Sequence, residues 1–333
     1  MVEQGIEDPR VVGSIPILAT IKLQFTMINV EKEFKDLCHK QLIPFVNAES
    51  VRAYDDSTLF CVAGMQRFTA DFLLGREASV PLIASIQACF RSTDLDEAGD
   101  GTHFPYFRML GLFSFEYFIV PQAIAFWFQF AKQIGLRIDY VTIHPDKFDE
   151  WSKFYAKHGI TDIRKDDECV WTNGNISGYC TEFYHNDIEV GNIVNPFGTC
   201  IDCGFGLERI SNIINSTPPL SRAEVLSTAI VKLISEGFKP ESKGAGYVLR
   251  KLIRLAVDEG VEIEHQFFTD ELDRRAKHRE VYSTLLPDNL DKSPQWWWET
   301  HGIDITQFQA TQDNEEGIGI DNSCNSCLAV AST

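Results

Sequence analysis

Strand-like patterns crowd the first two-thirds of this 333-residue chain and helical patterns fill its last third. Elements segregated in this way favour an α+β architecture built on an antiparallel sheet flanked by helices. Ile21, Leu23, Phe25 and Met27 alternate with polar residues at the two-residue period of a half-buried strand, and a helix is predicted from Asn29 to Lys40. TLFCVAGM (58–65), SIQACFRS (85–92) and FPYFRMLGLFSF (104–115) read as strands, the last two joined into a hairpin by the acidic loop TDLDEAGDG. PQAIAFWFQFAKQIG (121–135) reads as a helix with Pro121 in its first turn, where the missing N–H has no intrahelical partner to lose. RIDYVTIH (137–144) reads as a strand and DKFDEWSKFYAKH (146–158) as a capped helix. YCTEFYHN, IEVGNIVNPFG and TCIDCGFG give three more strands, ahead of a helix from Leu207 to Asn215. SRAEVLSTAIVKLISEG and GYVLRKLIRLAVDEG read as further helices, and the aromatic stretch SPQWWWETHGIDITQF is expected to dock on the body. Residues 311–333, acidic and rich in Ser, Asn and Gly, are expected to form a flexible tail.

Charge narrows the partners. The net charge of −18 repels the phosphate backbone that supplies most sequence-independent nucleic-acid affinity. The amino-terminal segment has an acidic start and an interrupted apolar stretch, and no apolar run is long enough to span a bilayer, so a cytoplasmic chain without a membrane partner is expected. Nine cysteines, an odd count without regular spacing, are expected to be reduced thiols.

The stretch IDCGFGLERI (201–210) admits three readings. As a dinucleotide-binding loop it fails, because Gly204 and Gly206 give G-x-G but Arg209 stands at the third glycine position. As half of a zinc site it would join Cys200-x-x-Cys203 to Cys324-x-x-Cys327, two pairs far apart in sequence, and no structural zinc is expected. As a strand running into a helix, it would aim Asp202 into a cleft, let a ligand approach the glycine backbone closely, and set Arg209 near the positive end of the helix. Such a site suits a ligand with an amine at one end and phosphates at the other. Taken alone, the stretch is better explained by a capping Asp202 and a solvated Arg209.

CFRSTDLDEAGDGTHFPYFRMLGLFSF (89–115) followed by IDCGFGLERI resembles motifs 2 and 3 of class II aminoacyl-tRNA synthetases, specifically the catalytic core of the alanyl-tRNA synthetases. NAESVRAYDDSTLFCVAGMQRF, ECVWTNGNISGYCTEFYHN, IEVGNIVN and GYVLRKLIRLAV resemble, in order, that family's SSSLVP to NAGM region, its DNFW…GPCGPCTEI segment, its EIWN strand and its RGYVLRR helix. The resemblance covers residues 40 to 257. It implies a class II catalytic domain over 1–215, a reduced helical region over 216–310, and the tail.

The resemblance also implies roles. Arg91 would hold the α-phosphate of ATP as the amino-acid carboxylate attacks it. Phe107 and Arg209 would sandwich adenine, Asp94 would join the ATP-binding set, and Gly206 would clear room for the adenylate. Trp171, Asn192 and Val194 would wall a small amino-acid pocket, Asp202 would pair with the substrate's ammonium group, and Gly204 would keep the pocket floor open. Each has a plainer structural reading: Trp171 as core, Val194 as strand filler, Asn192 as a turn residue. L-alanine, ATP and Mg2+ are the implied ligands, with the magnesium ligands unassigned. His103 is a candidate base, with a packed histidine as the plainer reading.

Departures from the family pattern set the expected acceptor. The motif 2 loop is shortened, the segment between motif 3 and GYVLRKLIRLAV is abbreviated, no HxxxH occurs, and the GPCGPC loop is reduced to GNISGYC, which leaves Cys180. Arg108 stands where the family has Glu, and strand alternation turns it away from the side that carries Phe107. The chain is therefore expected to make alanyl-adenylate and pass alanine to a small-molecule amine or hydroxyl or a carrier-protein thiol, with tRNA an unlikely partner. The alternatives are a minimal alanyl-tRNA ligase and a non-catalytic protein that binds alanine or adenylate.

Overall fold

A computed structural model describes residues 27–306. All of the strand expected over 21–27 except Met27, and the tail at 311–333, lie outside the described residues, as do Cys324 and Cys327. The helices are α1 (Val30–Lys40), α2 (Thr69–Leu74), α3 (Val120–Ile134), α4 (Pro145–Lys157), α5 (Leu207–Asn215), α6 (Arg222–Ser235), α7 (Gly244–Asp258), α8 (Gln266–Leu285) and α9 (Pro294–His301). The strands are β1 (Phe45–Ala48), β2 (Leu82–Phe90), β3 (Tyr106–Ser114), β4 (Tyr140–Ile143), β5 (Ile163–Lys165), β6 (Val170–Thr172), β7 (Ser177–His185), β8 (Ile188–Pro196) and β9 (Ile201–Gly206). Among the described residues no helix is long and apolar enough to cross a membrane.

Among the described residues, one sheet of nine strands carries the fold, in the order β1-β2-β3-β9-β8-β7-β4-β5 with β6 paired to β7. From β2 to β4 every neighbour is antiparallel, as expected. The two ends differ: β1 runs parallel to β2, and β5 runs parallel to β4. These are the short strands of four and three residues, too brief to show an alternation of their own, and each follows a helix that returns the chain to the sheet.

Period-two alternation splits the sheet into two unlike faces. Leu110, Leu112, Ile193, Cys203, Phe205 and Phe183 point to a core that α1, α3 and α4 close with Phe34, Trp127 and Tyr155. Trp127 stacks on Phe205 with ring centroids 3.7 Å apart. Helix α1 shows why such a segment folds where it does. Asn29 caps it by accepting from the Lys32 N–H at 2.9 Å, acids fill its first turn, and Val30, Phe34, Leu37 and Cys38 form one buried stripe. The other sheet face carries Phe107, Met109 and Gly111 of β3 opposite Gly206 and Gly204 of β9, with Asn192 and Val194 of β8 beyond them. Small side chains at its centre leave a trough there.

One expected element is absent and one helix was not singled out, each for an identifiable reason. The run 58–65 is no strand: it makes an isolated bridge between Arg52 and Phe60 and then enters a 3-10 turn at Gly64–Phe68. It is apolar because it crosses two cores, Phe60 packing with α6 and α7 residues while Met65 packs with Phe113. Helix α8 escapes a periodicity search because its 20 residues bury only Phe268 and Glu271. Glu271 instead gathers Arg274 and Arg275 at i+3 and i+4, pairs that support a helix from its own surface. Helices α6 and α7 share a cluster with Ala88 and Phe90 of β2. Trp297 of the aromatic segment packs against Tyr282, Leu285 and Leu286 at the end of α8.

Candidate active site

The trough deepens into a cavity of about 500 Å3. All ten residues singled out from the sequence line it: Arg91, Asp94 and Phe107; Trp171, Asn192 and Val194; Asp202, Gly204, Gly206 and Arg209. They come from five separate segments, and sheet register brings them together. Val194 is the cross-strand partner of Asp202, and Asn192 is that of Gly204. A Cβ at Gly204 would approach the Met109 sulfur to 2.9 Å, whereas one at Gly206 would meet only Arg209 Cβ at 3.4 Å. The tighter floor is therefore at Gly204.

One end of the cavity is cationic and aromatic. Arg91 follows β2, donates from Nε to the Val62 carbonyl at 3.0 Å, and lies over the Phe107 ring at 5.0 Å. Arg209, in the first turn of α5, donates from Nη2 to the Thr102 carbonyl at 2.8 Å and from Nη1 to the Glu189 carbonyl. Burial pushes the Arg209 guanidinium below its ordinary value, the like charge of Arg91 adds to this, and Glu189 opposes it. Two crowded guanidiniums beside a helix start make a place prepared for an anion.

The other end is acidic. Asp202 is 7% exposed, and burial alone pushes its carboxyl up to about 7. Among the described residues no cation offsets that burial, so an arriving ammonium would supply the missing partner. Trp171, on the short strand β6, pairs in register with Gly178 and packs with Val194, Cys169 and Cys180. A Cβ at Gly178 would lie 2.4 Å from the Asn195 carbonyl oxygen, so glycine there is what lets the two strands close up behind the tryptophan.

Three cavity carboxylates went unnoticed in the sequence. Glu182 has a local signal, since it alternates with Cys180 on β7 and must share its face. Glu189 has none. Strict alternation from Asn192 would turn it to the core, but a bulge between Phe183 and Tyr184 pairs Tyr184 with Glu189 and re-aims it into the cavity. Burial and the charge of Glu182 hold the Glu189 carboxyl above its usual range, against the pull of Arg209 and Arg91. Glu208, next to Arg209, also lines the cavity and accepts from Arg108 Nε at 2.8 Å. Arg108 itself reaches Glu31 at 2.6 Å on the far side of β3 from Phe107, where alternation put it.

His103 lines the cavity with both ring nitrogens facing acids, Nδ1 at 2.6 Å from Asp100 and Nε2 at 3.7 Å from Glu97. It is partly exposed and paired rather than packed. Cys200 and Cys203, the described half of the rejected zinc reading, belong to different clusters, Cys200 with Met65 and Phe68 and Cys203 in the core below the sheet.

The family model of the class II (A) tRNA synthetases matches residues 30–196. Among curated proteins, the alanine–tRNA ligase of Desulfitobacterium hafniense strain Y51 is 26% identical over 275 residues, covering 61% of this chain and 31% of that protein. That of Francisella tularensis subsp. tularensis strain SCHU S4 is 28% identical over 309 residues, covering 70% and 36%. The chain thus spans about a third of the length of the curated relatives it matches. Solved structures that align with it include an ATP phosphoribosyltransferase regulatory subunit/histidyl-tRNA synthetase from Bacillus halodurans C, at 12% identity and a TM-score of 0.39 over 56% of this chain and 78% of that one. With half of its length under that family model, and with the motif 2 and motif 3 segments meeting on one sheet, the chain belongs to the class II tRNA synthetases.

Proposed function

We propose that this chain activates a small amino acid, L-alanine, with ATP and passes the aminoacyl group to an acceptor other than tRNA. The observation that carries this reading is the polarity of one cavity, with a buried unpaired Asp202 at one end and Arg91, Phe107 and Arg209 at the other. Asp202 takes the ammonium group, while Trp171, Asn192 and Val194 wall the space for the amino-acid side chain. Adenine lies between Phe107 and Arg209, and Arg91 holds the α-phosphate. One carboxylate oxygen attacks the α-phosphorus, pyrophosphate leaves, and both arginines stabilise the charge that builds there. An amine, hydroxyl or thiol then attacks the carbonyl carbon, and AMP departs with the bonding pair. Magnesium enters with ATP, and Asp94 and Glu189 are the carboxylates beside the arginines able to complete its shell.

A pocket of this kind separates alanine from glycine or serine by roughly 10–200-fold. The non-tRNA acceptor is supported by the charge of −18 and by four carboxylates around the cavity, those of Asp94, Glu182, Glu189 and Glu208, besides Asp202. A second reading, tRNA as acceptor, draws on Arg250, Arg254 and Arg274, which gather where α7 meets α8.

The test is alanine-dependent exchange of labelled pyrophosphate into ATP with no tRNA present. Exchange is expected, and Arg91→Ala or Arg209→Ala should lower it by about 10²–10³-fold. No exchange with any small amino acid sinks the reading and favours a binding protein. Exchange that Arg91→Ala and Arg209→Ala leave intact means the site lies elsewhere. Labelled alanine consumed only on addition of tRNA selects the second acceptor.

A further inference from the structure

Behind the amino-acid end of the cavity, Cys169 Sγ, Cys180 Sγ and a Glu182 carboxylate oxygen all lie within 4.8 Å of one another. Both thiols are buried, and the Cys180 N–H donates to the Cys169 carbonyl at 2.8 Å, which ties the residue before β6 to β7. A tetrahedral metal with bonds of roughly 2.0–2.3 Å draws its donors to roughly 3.5–3.8 Å, so no donor here needs to move more than about 1 Å.

The surroundings suit a cation. The carboxylates of Glu182 and Glu189 both bear on the Cys180 thiol. Outer hydrogen bonds already hold the donors: Tyr184 donates to Glu182 Oε2 at 2.6 Å, and Thr142 Oγ1 lies 3.1 Å from Cys169 Sγ and 3.4 Å from Glu182 Oε2. Metal sites use such bonds to orient their ligands. Cys169 lies two residues before Trp171, in the segment where the family pattern reads DNFW, so the thiol pair belongs to this chain and not to the pattern.

We propose that Cys169, Cys180 and Glu182 bind one borderline-soft divalent cation of the zinc type, its fourth position left to water or a ligand from the cavity that Glu182 lines. On binding, both thiols release their protons to solvent and become thiolates. Two thiolates and one carboxylate select zinc over magnesium or calcium, whose shells are all oxygen. The site is independent of the reaction proposed above.

The test uses the whole chain, reduced, stripped with chelator and titrated with Co2+ and then Zn2+. Stoichiometric uptake is expected, with a thiolate-to-cobalt charge-transfer band and the d–d bands of tetrahedral cobalt, bleached by zinc. The double variant Cys169→Ser, Cys180→Ser should lose the charge-transfer band, and Thr142→Val should weaken zinc binding by roughly 10–100-fold while the fold persists by circular dichroism. Folded wild-type protein that gives no charge-transfer band overturns the proposal, whatever the variants do. So does a band that survives the double substitution.

Discussion

The buried carboxyl of Asp202 makes the sharpest prediction, because one residue is asked both to bind substrate and to burden the free protein. Its carboxyl is pushed up to about 7 by burial alone, against about 3.9 in an unfolded chain. Between those two values the folded chain keeps the proton that the unfolded chain has lost. This group's contribution to stability is therefore fully present below about pH 4 and declines at about 1.4 kcal/mol per pH unit until pH passes about 7. Ionised Asp202 then costs the ligand-free protein about 4 kcal/mol relative to acid conditions. Asp202→Asn has no such cost at any pH. Any fixed penalty from the amide cancels when the same pair of proteins is compared at two pH values. The advantage of Asp202→Asn over wild type should thus grow by about 3 kcal/mol between about pH 5 and about pH 8. Urea denaturation reads this as a difference in midpoint on the order of 1 M. The same variant should lose about 10²–10³-fold in kcat/KM for alanine-dependent exchange, as expected when one partner of a buried charge pair is removed. A stability difference that does not change with pH would refute the argument, since it would mean that Asp202 is ionised and satisfied in the free protein.

Two further perturbations probe the scaffold. Gly191→Ala would put a Cβ 2.2 Å from the Phe205 ring and 2.7 Å from the Gly204 carbonyl oxygen, backbone of the strand that carries Asp202. It should cost about 1–3 kcal/mol or more of urea stability and lower exchange with it. Arg108→Met removes the pairs with Glu31 and Glu208. Because that side chain is 39% exposed, the loss should be only about 1 kcal/mol, shrinking as salt is added, with the KM for alanine unchanged.

Where the signal was local, the sequence could be read nearly to the residue. Helix α5 begins at Leu207 and ends at Asn215, as composition and the preceding glycines indicate. Alternation alone separated Phe107, facing the cavity, from Arg108, facing the acids beyond β3. The order of motifs named ten residues that the fold gathers around one cavity. The helix and the facing of the strand follow from the 3.6 and 2.0 residue periods, which each segment writes in its own side chains, whereas the ten residues came from the resemblance to the family's motifs.

What the tertiary structure decided depends on neighbours distant in sequence. The parallel edge strands β1 and β5 are too short to announce themselves, and their direction is set by the helices that lead into them. The run 58–65 looks like a strand because it is buried, but its burial comes from two separate cores. Glu189 enters the cavity only because a bulge opposite Tyr184 breaks the alternation. Cys169, eleven residues before Cys180 and unremarkable as a spacing, meets Cys180 and Glu182 only when β6 folds against β7. Periodicity fixes which way a side chain points within its own element; which groups then face one another is set by register, bulges and packing between elements, and no single segment contains that information.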